Sequence, residues 1–280
     1  MSAPARWPYR GPLKAVIFDW AGTVVDYGSR APVMAILRAF AALDVPVTLD
    51  EARGPMGMSK REHLEAMMAV PRIREAWQAV HGEAPGAPAI DRLYHGFLAT
   101  QAKLLLEHVD LIPGCLEMLA ECRARGLKIG SSTGYTQELM EVLAPAIHQQ
   151  GFKPDALVTA SDVPHGRPAP WECLENARRL NVYPMQAIVK VDDTTVGIEA
   201  GLNAGMWTVG VAKTGNLIGL GQAEFDALDA DERQSRLTAA REVLRSVGAH
   251  QVIDSVAELP GALDELDRRL RQGEAPQGGR

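Results

Sequence analysis

Five short apolar runs, each closed by small or polar residues, constrain this chain more than any other feature. They are Val16-Ile17-Phe18, Leu127-Lys128-Ile129-Gly130, Ala156-Leu157-Val158-Thr159, Ala187-Ile188-Val189-Lys190-Val191 and Trp207-Thr208-Val209-Gly210-Val211. Runs of this length and composition read as strands of a parallel sheet buried on both faces. Helical patterns separate them, which predicts a doubly wound parallel sheet in an α/β fold. Gln251-Val252-Ile253-Asp254 is a candidate last strand and Leu259–Arg271 a final helix. Such sheets place ligands beyond the carboxyl ends of their strands. The candidate site is therefore Asp19, Ser131 to Tyr135, the loop Gly166-Arg167-Pro168-Ala169-Pro170, and Asp192-Asp193-Thr194.

The alternation is interrupted once. No strand pattern is found between about 28 and 106. Val33, Ile36, Leu37, Phe40 and Leu43 share one helical face. Thr48 reads as a helix cap with Glu51 three residues on. Gly54 to Ser59 breaks that helix, and Ser59 is placed to cap another that begins at Lys60. Further helical stretches cover 73–80 and 90–107. This segment is expected to be an all-helical cap domain, 28–106, inserted into a core made of 1–27 and 107–280. Asn216–Gly221 reads as loop and Asp231–Val247 as helix, and the tail Gly273–Arg280 is expected to be disordered.

Composition excludes several function classes. A formal net charge of −6 argues against nucleic acid as a general partner. No apolar run approaches the roughly 18 residues of a membrane helix. Met1–Pro12 carries Arg6 and Arg10 and lacks the apolar segment of a signal peptide. Cys115, Cys122 and Cys173 are odd in number and without metal spacing, as free thiols of a reducing cytoplasm would be.

Asp19 follows its strand directly, and a buried charge is costly unless paired or metal-bound. Taken singly, Asp19 could close a turn, Thr133 could be a turn hydroxyl and Arg167 a solvated loop charge. Asp192-Asp193-Thr194 could cap a helix, and Lys60 could be an exposed helix-start lysine. The strings that contain them are more specific. Val16-Ile17-Phe18-Asp19-Trp20-Ala21-Gly22-Thr23-Val24-Val25-Asp26 resembles the nucleophile motif of the haloacid dehalogenase superfamily. Its phosphatases carry a second Asp at the position of Ala21, and a methyl group cannot be a general acid. Asp19-Trp20-Ala21-Gly22-Thr23 instead resembles the branch that cuts carbon–phosphorus bonds, the phosphonoacetaldehyde hydrolases. Gly54-Pro55-Met56-Gly57-Met58-Ser59-Lys60-Arg61-Glu62-His63 resembles the cap segment of that branch.

That resemblance implies a set of roles. Asp19 is the nucleophile. Lys60 forms a Schiff base with the substrate aldehyde, so that the electrons of the broken carbon–phosphorus bond enter an enamine. Mg²⁺ is the cofactor, held by Asp19, the Ala21 carbonyl and Asp193. Thr133, Gly134 and Arg167 hold the phosphoryl oxygens, with Arg167 where the superfamily usually has Lys. Met56, His63 and Tyr135 share the site, with His63 either a proton relay through water or a partly buried structural histidine. Asp192 replaces the commoner Gly, and Gly197 stands where many relatives have an acid. Lys60 must also have its pKa brought from about 10.4 to roughly 7–8 before it can attack. The reaction implied gives acetaldehyde and phosphate in the degradation of 2-aminoethylphosphonate. The protein would be a cytoplasmic homodimer joined through the cap, with the Val33–Phe40 face as one candidate surface. The alternatives are a superfamily phosphatase or phosphomutase acting on a small phosphate ester, and a phosphate-binding pseudoenzyme.

Overall fold

Residues 9–276 are described by the structure, a computed structural model. Arg6 and the last residues of the expected disordered tail lie outside that range. The strands are β1 (Ala15–Phe18), β2 (Lys128–Thr133), β3 (Ala156–Thr159), β4 (Ile188–Asp192), β5 (Trp207–Val211) and β6 (Gln251–Ile253). β1 is fully buried, and its side chains divide by the two-residue period of a strand. Val16 and Phe18 join one apolar layer, and Ala15 and Ile17 join the layer on the other face. A strand with two covered faces belongs inside a sheet. β1 is central in the order β3-β2-β1-β4-β5-β6, with every pairing parallel. The strand order reverses at β1 and β4, so the crevice at their carboxyl ends is the switch point where α/β sheets bind ligands.

Between β1 and β2 the chain makes α1 (Arg30–Ala41), α2 (Leu49–Arg53), α3 (Lys60–Ala69), α4 (Pro71–His81), α5 (Ala87–Leu105) and α6 (Cys115–Ala124). The first five form the helical cap inserted into the core. α2 starts with the Thr48–Glu51 capping box that its sequence predicts. Ser59 stands at the N-cap position of α3 but makes no side-chain cap; its hydroxyl donates to Glu62 at 2.5 Å. α1 packs on α5 with Val33, Ile36 and Phe40 buried. The apolar face offered as a dimer surface is thus covered within the cap itself.

The remaining helices are α7 (Gln137–Gln149), α8 (Trp171–Leu180), α9 (Thr195–Asn203), α10 (Gln222–Asp226), α11 (Ala230–Ser246) and α12 (Leu259–Arg271). α10 is a short helix just beyond the loop-like 216–221 stretch, where the sequence suggested no element. The start of the tail is held down, because Gly273 N–H donates to the Leu270 carbonyl and Glu274 pairs with Arg269. Among the described residues no helix is long and apolar enough to cross a membrane.

Candidate active site

Sheet register brings the first site residues together. Phe18 pairs with Ser131 on one side and Val191 on the other. The residues one step on, Asp19, Ser132 and Asp192, therefore emerge side by side. Asp19 N–H still donates to the Val191 carbonyl at 2.9 Å. Carboxylate oxygens of Asp19, Asp192 and Asp193 lie within 4.8 Å of one another, and all three residues are buried.

Arg167 comes in from the loop before α8 and ties this group together. Its Nη1 donates to Asp19 Oδ1 at 2.6 Å and to Asp192 Oδ2 at 3.1 Å. Nη2 donates to Ser132 Oγ at 2.9 Å and Nε to Glu172 Oε2 at 2.7 Å. The guanidinium fork expected to clasp the phosphoryl group is therefore mostly engaged by protein. It fixes the Asp19 carboxylate and supplies positive potential at the cavity wall. Burial works against its charge, but Glu172, Asp192 and Asp19 hold it protonated well beyond the ordinary arginine range.

The charge balance of this buried group identifies what it lacks. Asp19, Asp192, Asp193 and Glu172 face two cations, Arg167 and Lys190, whose Nζ lies 2.8 Å from Asp192 Oδ2. Within this ion-paired set the carboxylates outnumber the cations by two, and Lys60 lies across the cavity. Burial and mutual repulsion push Asp193 well above the usual carboxylate range and raise Asp19. Asp192 moves the other way despite its burial, because Lys190 and Arg167 flank it. Its oxygens are also occupied, Oδ1 by Thr194 N–H (3.0 Å) and Thr194 Oγ1 (2.7 Å), Oδ2 by the two cations. Asp19 and Asp193 remain to face a cation. Asp193 is steadied by the Asn216 N–H at 2.7 Å and by Thr23 Oγ1 at 3.3 Å. This donor set fits one hard divalent ion.

The two departures at Asp192 and Gly197 occupy one space. A β-carbon at Gly197 would lie 2.0 Å from Asp192 Cγ. The strand-end carboxylate thus excludes any side chain on the facing turn of α9. Gly197→Ala should lose about 1–3 kcal/mol of stability from overpacking, although alanine is favoured over glycine in a helix by roughly 1 kcal/mol. Urea unfolding measures it, and a neutral or stabilising result would show that the space is not tight.

The cap supplies the other wall. A cavity of about 20 Å³, room for about one water, is lined by Asp19, Ala21, Met56, Lys60, Thr133, Gly134, Tyr135 and Arg167. These eight predicted residues are brought together from both lobes. Lys60 is the first residue of α3 and is 4% exposed. Its Nζ lies 3.9 Å from Met56 Sδ and 5.3 Å from the centre of the Tyr135 ring. Burial lowers its pKa to about 8, with Arg167 adding to the effect and Asp19 and Asp193 opposing it. The positive end of α3 acts in the same sense. Burial also keeps the Tyr135 hydroxyl protonated. At Gly134 an added β-carbon would sit 2.6 Å from the Met58 carbonyl, so glycine lets the cap loop descend onto the core.

His63 stands apart from this arrangement. It is fully buried behind the cavity wall, and its Nε2 lies 3.0 Å from the Ala52 carbonyl. Burial and the neighbouring Lys60 lower its pKa to about 3, so it is neutral. A relay through cavity water is not the geometry found; the ring packs beneath Lys60 and α2. Asp193 likewise does not line the cavity but lies below Asp19.

Sequence reasoning missed Ser29, Pro32 and Gly57 in the lining, and Glu172 and Lys190 in the buried network. For Lys190 a signal existed. A charged residue inside an apolar strand must find a buried partner. The lining residues gave none, since hinge and loop contacts depend on how the lobes meet.

Comparison with known proteins agrees with this geometry. The haloacid dehalogenase-like hydrolase family profile matches residues 13–205. The chain is 44% identical over 269 residues to a phosphonoacetaldehyde hydrolase of Syntrophobacter fumaroxidans, covering 96% of this chain and 97% of that one. It is 46% identical over 268 residues to one of Hahella chejuensis, covering 96% and 91%. The crystal structure of a phosphonoacetaldehyde hydrolase-like protein from Oleispira antarctica superimposes with a TM-score of 0.95 at 42% identity, covering 99% of this chain and all of that one. The chain belongs to the phosphonoacetaldehyde hydrolase family of the haloacid dehalogenase-like hydrolases.

Proposed function

We propose that this protein hydrolyses the carbon–phosphorus bond of phosphonoacetaldehyde to acetaldehyde and phosphate. One observation carries the reading: an amine and a nucleophilic carboxylate from different lobes line one buried cavity, with Ala21 where a general acid would stand. The Lys60 amine adds to the aldehyde carbon and water leaves, forming an imine. Asp19 attacks phosphorus, and the bonding pair of the carbon–phosphorus bond moves into the iminium to give an enamine. Water then hydrolyses the aspartyl-phosphate, and the enamine is protonated at carbon and hydrolysed to acetaldehyde. The amides near Thr133 and Gly134 would take the phosphoryl oxygens, with Arg167 adding positive potential beside them. Mg²⁺, bound by Asp19, the Ala21 carbonyl and Asp193, would neutralise charge between nucleophile and phosphoryl group. Incubation with phosphonoacetaldehyde and Mg²⁺ should release the two products in equal amounts. Turnover of p-nitrophenyl phosphate without phosphonoacetaldehyde cleavage would favour a phosphatase instead.

Lys60 also sets the pH dependence. Neutral amine is the attacking species, and a lysine loses its proton as pH rises through its pKa. Borohydride trapping of the imine should therefore rise through about 8 and level off above it. A midpoint near the free-lysine value of about 10.4 would mean that the closed, dry site does not form in solution.

The lobes in this reading are a 28–106 cap and a core of 1–27 and 107–280. The substrate would arise by transamination of 2-aminoethylphosphonate. Three buried free thiols fit a cytoplasmic setting. A homodimer through the cap rests on the family resemblance, and light scattering checks it.

A further inference from the structure

Arg53 ends α2 and reaches out of the cap into the core. Nη1 donates to the Gly28 carbonyl at 3.1 Å, to Asn216 Oδ1 at 3.0 Å and to the Asn216 carbonyl at 3.4 Å. Nη2 donates to the Gly219 carbonyl at 2.8 Å. Asn216 reciprocates, its Nδ2 donating to the Arg53 carbonyl at 3.3 Å. The backbone N–H of the same Asn216 donates to Asp193 Oδ2 at 2.7 Å. A cap guanidinium is thus two hydrogen bonds from a carboxylate of the acidic cluster. The Arg53 carbonyl also accepts the Met56 N–H at 3.0 Å, at the start of the loop that leads to Lys60.

The cavity between the lobes has room for about one water. A substrate with a phosphonate and an aldehyde enters only if the cap lifts. Lifting α2 withdraws Arg53 from loop 213–221 and leaves the carbonyls of Asn216 and Gly219 without it. In the closed arrangement the Asn216 N–H is seated against Asp193.

We propose that Arg53 and Asn216 form a clasp that couples the position of the cap to the orientation of Asp193. Arg53 is a positioning residue acting through Asn216. Closure raises the affinity of the acidic cluster for its divalent cation, and by linkage the cation favours closure by the same factor. This rests on the reading of Asp193 as a metal ligand. Lysine cannot replace Arg53, because one ammonium cannot reach three carbonyls and an amide oxygen that the planar fork spans.

The test is a titration of Mn²⁺ into the full chain without substrate, with free ion read by electron paramagnetic resonance. Arg53→Lys and Asn216→Ala should each weaken Mn²⁺ binding about 10- to 100-fold, the scale for groups that orient metal ligands. The double variant should bind no more weakly than the weaker single, because the two act as one unit. Asn216→Ala keeps its backbone N–H, so it remains a test even where Arg53→Lys folds poorly; circular dichroism reports folding. In a second arm Mn²⁺ should slow proteolysis of the 54–59 loop in the wild type and not in the variants. Folded variants with wild-type Mn²⁺ affinity, or additive losses in the double, overturn the clasp. If the wild type releases phosphate from phosphonoacetaldehyde while the variants keep wild-type Mn²⁺ affinity, the clasp alone fails. If the coupling holds but no phosphate is released, the proposed reaction fails and the clasp stands.

Discussion

Replacing Lys60 with arginine is expected to lower kcat by roughly 10⁴-fold or more, the scale on which removal of a covalent-catalysis residue is felt. Arginine keeps the positive charge beside Asp19 but stays protonated and has no lone pair to give. An electrostatic role for Lys60 would survive this change, and an imine role would not. The surroundings of Lys60 fit the second, proposed role. The amine is 4% exposed and lies against a thioether and an aromatic ring. Burial brings its pKa to about 8, so free amine is available near neutral pH. Borohydride with substrate should mark Lys60 in the wild type, by peptide mapping, and nothing in Lys60→Arg. Lys60→Met, closer in volume, separates loss of chemistry from overpacking. Retention of even about 1% of kcat by either variant, against the 10⁴-fold expectation, would remove the Schiff base from the mechanism.

Asp19→Asn should suppress phosphate release on the same scale, again roughly 10⁴-fold or more, yet leave the borohydride adduct on Lys60 intact. In the proposed reaction the two half-reactions are carried by different lobes, so the variant should stop after imine formation. The trapping midpoint should also move. Burial is the main cause of the low Lys60 pKa, but the Asp19 charge opposes it. Removing that charge takes the pKa below about 8, and trapping should set in at lower pH. A shift to higher pH, or loss of trapping, would mean that Asp19 activates the amine rather than waiting for phosphorus.

Much of this was legible before folding because it is local. Val16-Ile17-Phe18 reads as a buried strand, and an acid at its end falls at the ligand-binding edge of the sheet. The Thr48–Glu51 box is closed by residues three apart. Lys60 with Met56, four residues earlier, shares one short segment, and that segment supplies the thioether beside the amine. Other readings failed where partners are distant in the chain. Arg167 looked free for phosphate because its loop does not reveal Glu172, Asp192 and Asp19 waiting around it. His63 was open between a relay and a buried structural role, and only the fold shows its ring against the Ala52 carbonyl. Loop 213–221 carried no signal at all, and its Asn216 touches both Asp193 and Arg53.

The sequence by itself determined the strands and the helical insert, since each follows from side-chain pattern within a few residues, and it pointed to Asp19 and Lys60 through the resemblance of the strings that contain them. Tertiary structure alone decided which charges balance which, how dry the amine is, and what joins the cap to the acidic cluster. Those are matters of burial and of distances between segments far apart in the chain, such as Thr23 and Asp193, 170 residues apart. Desolvation and Coulomb energy depend on that spatial arrangement and not on chain position.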